Sequence, residues 1–206
     1  TLYTIAYLED SPNRSHFFGY FSLCVTVTIG IALAGNLLTF LFFFEMLTLS
    51  TYPLVVHRGT AEALAAGRVY LVYTLGGGLL LFLGVVWLHV LVGPVDFSKS
   101  GLLSPLVAGH STTLTVIFFL LLAGVGVKAA LFPLHGWLPR AMVAPAPVSA
   151  LLHAVAVVKA GAFGIIRIVL DVYGLETAGT LGLLVPLMLM ATVTILYGSI
   201  CALRQD

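Results

Sequence analysis

The stretch Lys128-Ala-Ala-Leu-Phe-Pro-Leu-His-Gly-Trp-Leu-Pro-Arg-Ala-Met142, continued by Val143-Ala-Pro-Ala-Pro-Val-Ser-Ala-Leu-Leu-His153-Ala-Val-Ala-Val-Val-Lys159, decides how this chain folds. Two lysines and a histidine stand in apolar surroundings, and Pro133, Pro139, Pro145 and Pro147 interrupt the helix between them. Proline removes a backbone donor and breaks or bends a helix. An ionisable group inside a membrane span is costly and calls for a reason. Broken helices at membrane depth are tolerated where they are buried in protein or line a cavity. The stretch therefore predicts a membrane protein built around interrupted helices that carry charge.

Composition agrees. The 206 residues are 60% hydrophobic and 8% charged, against about 25% charged in a soluble domain, and the mean hydropathy is +1.12. A net charge of +1 gives no electrostatic footprint for nucleic acid. Cys24 and Cys201 both lie in apolar segments, so neither a disulfide scaffold nor a Cys/His metal pattern is present in the sequence. The start at Thr1 lacks a signal-peptide pattern, and the ends suggest a piece of a longer chain.

Outward from the central stretch, apolar runs long enough to cross a bilayer predict six spans at about 16–34, 37–56, 69–92, 112–132, 148–170 and 181–202. The expected fold is an all-α, polytopic membrane bundle with two broken helices, in a single transmembrane domain over 1–206. Residues 9–14 form a polar turn, 57–67 a polar loop, and 93–111 a longer loop. Gly76-Gly77-Gly78 reads as a helix-packing face; the residues of a phosphate-binding loop are missing around it. Trp87 and Trp137 suit an interfacial aromatic belt. One side of the membrane would hold Arg14, Arg58, Arg68, Arg140 and Arg204, the other Lys99 and Arg167, which assigns the first side to the cytoplasm.

The ionisable residues expected within the spans are Glu45, Lys128, His153 and Lys159. They fit neither a Ser-His-Asp arrangement nor a carboxylate pair, so no catalytic site is expected in the chain. Carboxylate, amine and imidazole in a bilayer are the materials of a proton relay. Burial disfavours a charged amine and a nearby carboxylate favours it, so a small change in their separation moves a proton. Imidazole titrates near neutrality. Each residue also has a plainer reading. Glu45 would sit near the interface, Lys128 would snorkel, and His153 would be structural. Lys159, about 120° from His153 around an ideal helix, would pair elsewhere. His16, His57, His89, His110 and His135 fall at span ends or in loops and read as interfacial, with His135 the best placed for proton uptake.

These motifs resemble those of the antiporter-like proton-channel subunits shared by respiratory complex I (NADH–quinone oxidoreductase), the Mrp multisubunit cation/proton antiporters and membrane-bound hydrogenases. The resemblance rests on Lys128-x-x-x-Phe-Pro-Leu-His-x-Trp-Leu-Pro-x-Ala-Met, on Ala144-Pro-x-Pro-Val-Ser-Ala-Leu-Leu-His153-Ala and Val-Lys159-Ala-Gly, and on Asn36-Leu-Leu-Thr-Phe…Phe-Glu45-Met…Leu-Ser-Thr-Tyr52. It covers nearly the whole chain. It implies a longer fold of about fourteen helices with two inverted five-helix repeats, of which this chain would be the first repeat and one further helix. It also implies that Glu45 modulates a central Lys128 and that His153 and Lys159 relay protons onward. Two features depart from the family pattern. Arg140 stands where many members carry an acidic residue, and His153 and Lys159 are both present where some members keep one.

The expected function is proton translocation within a multisubunit complex of the bacterial inner membrane, driven by NADH–quinone-type redox chemistry or by exchange for a monovalent cation such as Na⁺. The expected partners are other membrane subunits, the lipid bilayer and protons, without nucleic acid. No haem, flavin or iron–sulfur ligands occur in the sequence, so no cofactor is expected in this chain. The alternative is a non-conducting structural subunit, or one that energises a partner such as an inorganic-carbon uptake protein.

Overall fold

A computed structural model of the chain describes residues 2–7, 13–97 and 102–204. Residues 8–12, which include most of the expected polar turn, and Lys99 lie outside the described residues. The described chain is helical throughout: α1 (Leu2–Tyr7), α2 (Arg14–Leu33), α3 (Leu37–Val55), α4 (Ala61–Val92), α5 (Val107–Lys128), α6 (Trp137–Ala141), α7 (Ala146–Ala150), α8 (Val157–Ile166), α9 (Leu175–Thr180) and α10 (Leu184–Leu203). Helices α2, α3, α4, α5 and α10 are each long and apolar enough to cross a membrane. The expected span at 148–170 is a jointed run instead, in which α7 passes into a π-helical turn (Leu151–Val155), breaks at Ala156, and continues as α8 and a second π-helical turn (Arg167–Tyr173). With the interruption after Lys128, this makes two broken helices in a multi-pass membrane bundle.

Local chemistry sets the boundaries, and it moves some of them from their expected places. Asn36 starts α3, its side-chain oxygen accepting the Thr39 N–H at 2.8 Å. Thr60 starts α4 in the same way through Ala63 N–H at 3.1 Å, with Glu62 in the first turn, both of which favour a helix N-terminus. The third span thus begins at Ala61 rather than 69, because the cap outweighs the polar residues that suggested a loop. A helix of 32 residues is about 48 Å long, more than the roughly 30 Å hydrocarbon core. Its first turns, with Glu62 and Arg68, therefore have room outside the hydrocarbon. Helix α5 is kinked at His110 (φ −132°, ψ 25°), so its regular run starts close to the expected 112, and it ends at Lys128 rather than 132. Ala130 takes a left-handed conformation (φ 55°), Leu131 N–H returns to the Gly126 carbonyl at 3.0 Å, and Ala130 N–H to Val127 at 3.1 Å. This hydrogen-bond pair closes a helix C-terminus, and it makes Lys128 the last helical residue.

The most extensive helix contact is between α4 and α5. It depends on small residues: a Cβ at Gly77 would lie 2.8 Å from Val127, and one at Gly124 would meet the Leu81 backbone at 2.7 Å. The packing role expected of the glycine run thus holds at Gly77 and Gly78, whereas Gly76 faces open space. The two ends of the bundle are tied separately. At one end Leu37 N–H bonds Val95 O at 3.0 Å and Phe97 N–H bonds Gly35 O at 2.9 Å. At the other, Arg58 donates to the Val143 carbonyl at 3.4 Å, which puts Arg58 and the α6–α7 link on one side.

Trp137 corrects an expectation. It is fully buried, not interfacial. Its indole N–H donates to the Val127 carbonyl at 2.7 Å, and its ring meets the edge of Tyr70 at 5.3 Å. Trp87 is 44% exposed. Tyr70 is buried too and shares a 2.5 Å hydrogen bond with Thr51, joining α4 to α3. Tyr70→Phe in the full-length protein is expected to remove this bond and destabilise the fold by about 1 kcal/mol, read as a lower thermal unfolding midpoint in detergent. An unchanged midpoint would show that the α3–α4 contact stands without it.

Candidate functional site

Three elements converge where α5 ends. Helix α3 brings Phe44 and Glu45, α4 brings Gly78, and α8 closes the back with Gly161. Lys128 is 1% exposed, and its ammonium nitrogen lies 3.8 Å from Glu45 Oε1. The same Nζ donates a hydrogen bond to the Phe44 carbonyl and stands 3.7 Å from the centroid of the Phe44 ring, within cation–π range. The buried cation therefore meets a carboxylate, a carbonyl dipole and an aromatic face, which together offset its loss of water.

Glu45 is held less completely. Its side chain is 30% exposed, and Oε1 has no hydrogen-bond partner. It fits against α4 because position 78 is glycine; a Cβ there would lie 2.5 Å from Oε2. One member of the pair is thus enclosed, and the other is open on one side and held chiefly by charge. Glu45 can therefore change its distance from Lys128 without breaking a hydrogen bond of Oε1.

The backbone around Lys128 is fixed from two directions. Trp137 holds the Val127 carbonyl from the α6 side. Gly161 lies against the Lys128–Ala129 peptide from the α8 side, so close that a Cβ would collide with backbone atoms. The lysine side chain can therefore move while its Cα stays in place.

His153 and Lys159 are not part of this cluster. His153 is half-buried on the π-helical turn, and its Nε2 has no hydrogen-bond partner. Lys159 is exposed on α8. The joint at Ala156 (φ −112°, ψ −74°) separates them, so the angle of an ideal helix does not describe their relation. The structure brings Glu45 and Lys128 together and leaves His153 and Lys159 apart from that pair.

His135, expected at the interface, is half-buried; its ring stacks on Phe132 with centroids 5.6 Å apart and meets Tyr197 of α10 edge-on at 4.8 Å. Its Nδ1 is buried and unpartnered, beside a cavity of about 400 Å³ shared with Thr194, Tyr197 and Cys201. Arg167 pairs with Asp171 at 2.8 Å and lies over the rings of Phe97 and Phe163. Sequence reasoning missed Phe44, Gly161 and the buried role of Trp137, and it read Gly78 as packing without its contact to Glu45. Trp137 and Gly161 fall inside the two motif blocks, which is where a signal lay. The Phe44 carbonyl left none, since any residue supplies one.

The transmembrane family described as NADH:quinone oxidoreductase/Mrp antiporter matches residues 34–206. A Staphylococcus aureus (strain MSSA476) protein named as antiporter subunit mnhA2 is 32% identical over 98% of this chain, which spans 25% of that relative. The chain thus has about a quarter of the length of the curated relatives it matches. Among solved structures, a chain of the membrane-bound sulfane sulfur reductase, an archaeal respiratory membrane complex, superposes with a TM-score of 0.79 at 29% identity, over 91% of this chain and 38% of that one. A chain of the Mrp complex from Dietzia sp. DQ12-45-1b gives 0.69 at 29% identity, over 80% and 18%. Respiratory complex I from Thermus thermophilus has a chain with the same fold, at a TM-score of 0.74 and 24% identity, over 95% of this chain and 41% of that one.

Proposed function

From the premise that this chain belongs to the NADH:quinone oxidoreductase/Mrp antiporter transmembrane family, we propose that it forms a proton-conducting unit of a multisubunit membrane complex. The observation that carries this is the pairing of an enclosed Lys128 with a partly open Glu45 at 3.8 Å. A buried lysine is stabilised as a cation while the carboxylate is near and is a ready proton donor when the carboxylate withdraws. Protons reach Lys128 from the side that carries Arg58 and Arg140, the cytoplasmic side. Glu45 modulates the lysine, and His153 and Lys159 take protons onward across the joint at Ala156. The complex belongs to a bacterial inner membrane. Redox cofactors, where the complex has them, are in partner subunits. The subunits that co-purify with the full-length chain distinguish the two sources of drive: iron–sulfur or quinone-site subunits mark a redox pump, and small antiporter-like subunits alone mark cation exchange.

Glu45→Gln tests the pair directly. It keeps the side-chain volume and removes the charge. At this separation an opposite charge near a protein surface is worth up to about 4 kcal/mol, and the partial exposure of Glu45 lowers that. Proton transport by the full-length complex is expected to fall by about tenfold to a hundredfold, measured with a pH-sensitive dye in everted vesicles, with the complex still assembled. Transport at the unmodified rate would remove Glu45 from the mechanism.

A further inference from the structure

Threonines in these helices share a habit. Among the described residues eight of them, Thr28, Thr51 and Thr74 included, donate their hydroxyl to the carbonyl four residues earlier at 2.7–3.0 Å. Thr48 does not. Its side chain is fully buried, and its hydroxyl has no partner. The carbonyl four residues before it belongs to Phe44, the one that accepts the Lys128 ammonium. A carbonyl oxygen has two lone pairs, and the N–H ladder of the helix uses one of them. Thr48 and Lys128 therefore compete for the other. In this structure the charged donor holds it, as a charge-assisted hydrogen bond should against a neutral one.

We propose that Thr48 and Lys128 take turns on the Phe44 carbonyl, which makes Thr48 a positioning residue for proton passage. When Lys128 Nζ leaves Glu45 to hand on its proton, the Phe44 carbonyl loses a donor inside the protein. The Thr48 hydroxyl, already buried one helical turn away and unpartnered, rotates about χ1 and takes that place. The carbonyl is satisfied in both states and only its donor changes. Without the hydroxyl, departure of the lysine would strand a buried acceptor, which is unfavourable, and Lys128 would dwell beside Glu45. The Thr48 hydroxyl has no hydrogen-bond partner among the described residues, and the occupancy of that one carbonyl accounts for its present idleness.

This inference rests on the proton-conducting function proposed above. The test compares Thr48→Val, which keeps the shape without the hydroxyl, with Thr48→Ser, which keeps the hydroxyl, in the full-length chain within its complex; Lys128→Ala is measured alongside. Proton transport in everted vesicles is expected to fall roughly two- to tenfold in the valine variant, the span of one net hydrogen bond, and to return close to the original rate with serine. Should the valine variant fail to assemble, Thr48→Ala takes its place. Equal loss in the valine and serine variants would assign the effect to packing and overturn the exchange. An unimpaired valine variant beside an inactive Lys128→Ala would overturn the exchange and leave conduction through Lys128 standing. Undiminished transport by Lys128→Ala would overturn both.

Discussion

Lys128→Ala in the full-length chain is expected to bring proton transport down to the background of membranes without the protein, with the complex still assembled. The loss should be complete because Lys128 is the enclosed amine of the cluster and, among the described residues, the cation paired with Glu45. Assembly should survive for a reason visible in the geometry. Breaking a buried ion pair is costly when it strands a charge in the interior, but the group left behind here is Glu45, a partly exposed carboxyl that can take up a proton and become neutral. The Phe44 carbonyl would not be stranded either, since the unpartnered Thr48 hydroxyl is one turn away. Lys128→Arg sharpens the test. It keeps the positive charge but cannot release a proton near neutral pH, so it should be as inactive as alanine. An arginine variant that transports would show that charge at this position suffices, and that Lys128 is not a proton carrier.

The second large effect is expected at a residue with no polar chemistry. Gly161→Ala adds one carbon where α8 meets the Lys128–Ala129 peptide, and the atoms that it would meet are backbone. A side chain could rotate away; a helix end cannot. Overpacking of this kind costs about 1–3 kcal/mol, and relief would require α8 to move off α5, carrying the lysine's surroundings with it. The full-length protein is expected to unfold several degrees lower in detergent and to lose most of its transport. Gly76→Ala supplies the control. A Cβ there meets nothing within 4 Å, and alanine is the better helix former, so stability should hold or rise. Equal behaviour of the two variants would show that α8 does not rest on the end of α5 as described.

Much of this was legible before any coordinates. Hydropathy and length placed the long spans, since a bilayer demands continuous apolar helix. The four ionisable residues stood out because charge is rare in such spans. The motif blocks identified the family, and the match over 34–206 agrees. Some of what was missed was local and readable: Thr60 with Glu62 marks the start of α4. The misplacement of Trp137 had a different origin. Tryptophan beside a proline break suits a membrane interface as well as a core, and the Val127 carbonyl that takes its N–H is ten residues away in the chain but adjacent in the fold.

Polarity read residue by residue against a bilayer is enough to make this a helical membrane protein and to pick out the residues that carry its charge, and the motif blocks add the family. Tertiary structure alone decided which charges meet. Glu45 and Lys128 are 83 positions apart, and only the packing of α3, α4 and α5 on small residues puts their side chains 3.8 Å apart. His153 and Lys159, close in sequence, fall on either side of a joint that no periodicity records. Proximity between distant residues comes from the way helices pack, and the contest for the Phe44 carbonyl between a lysine and a threonine on different helices arises only there.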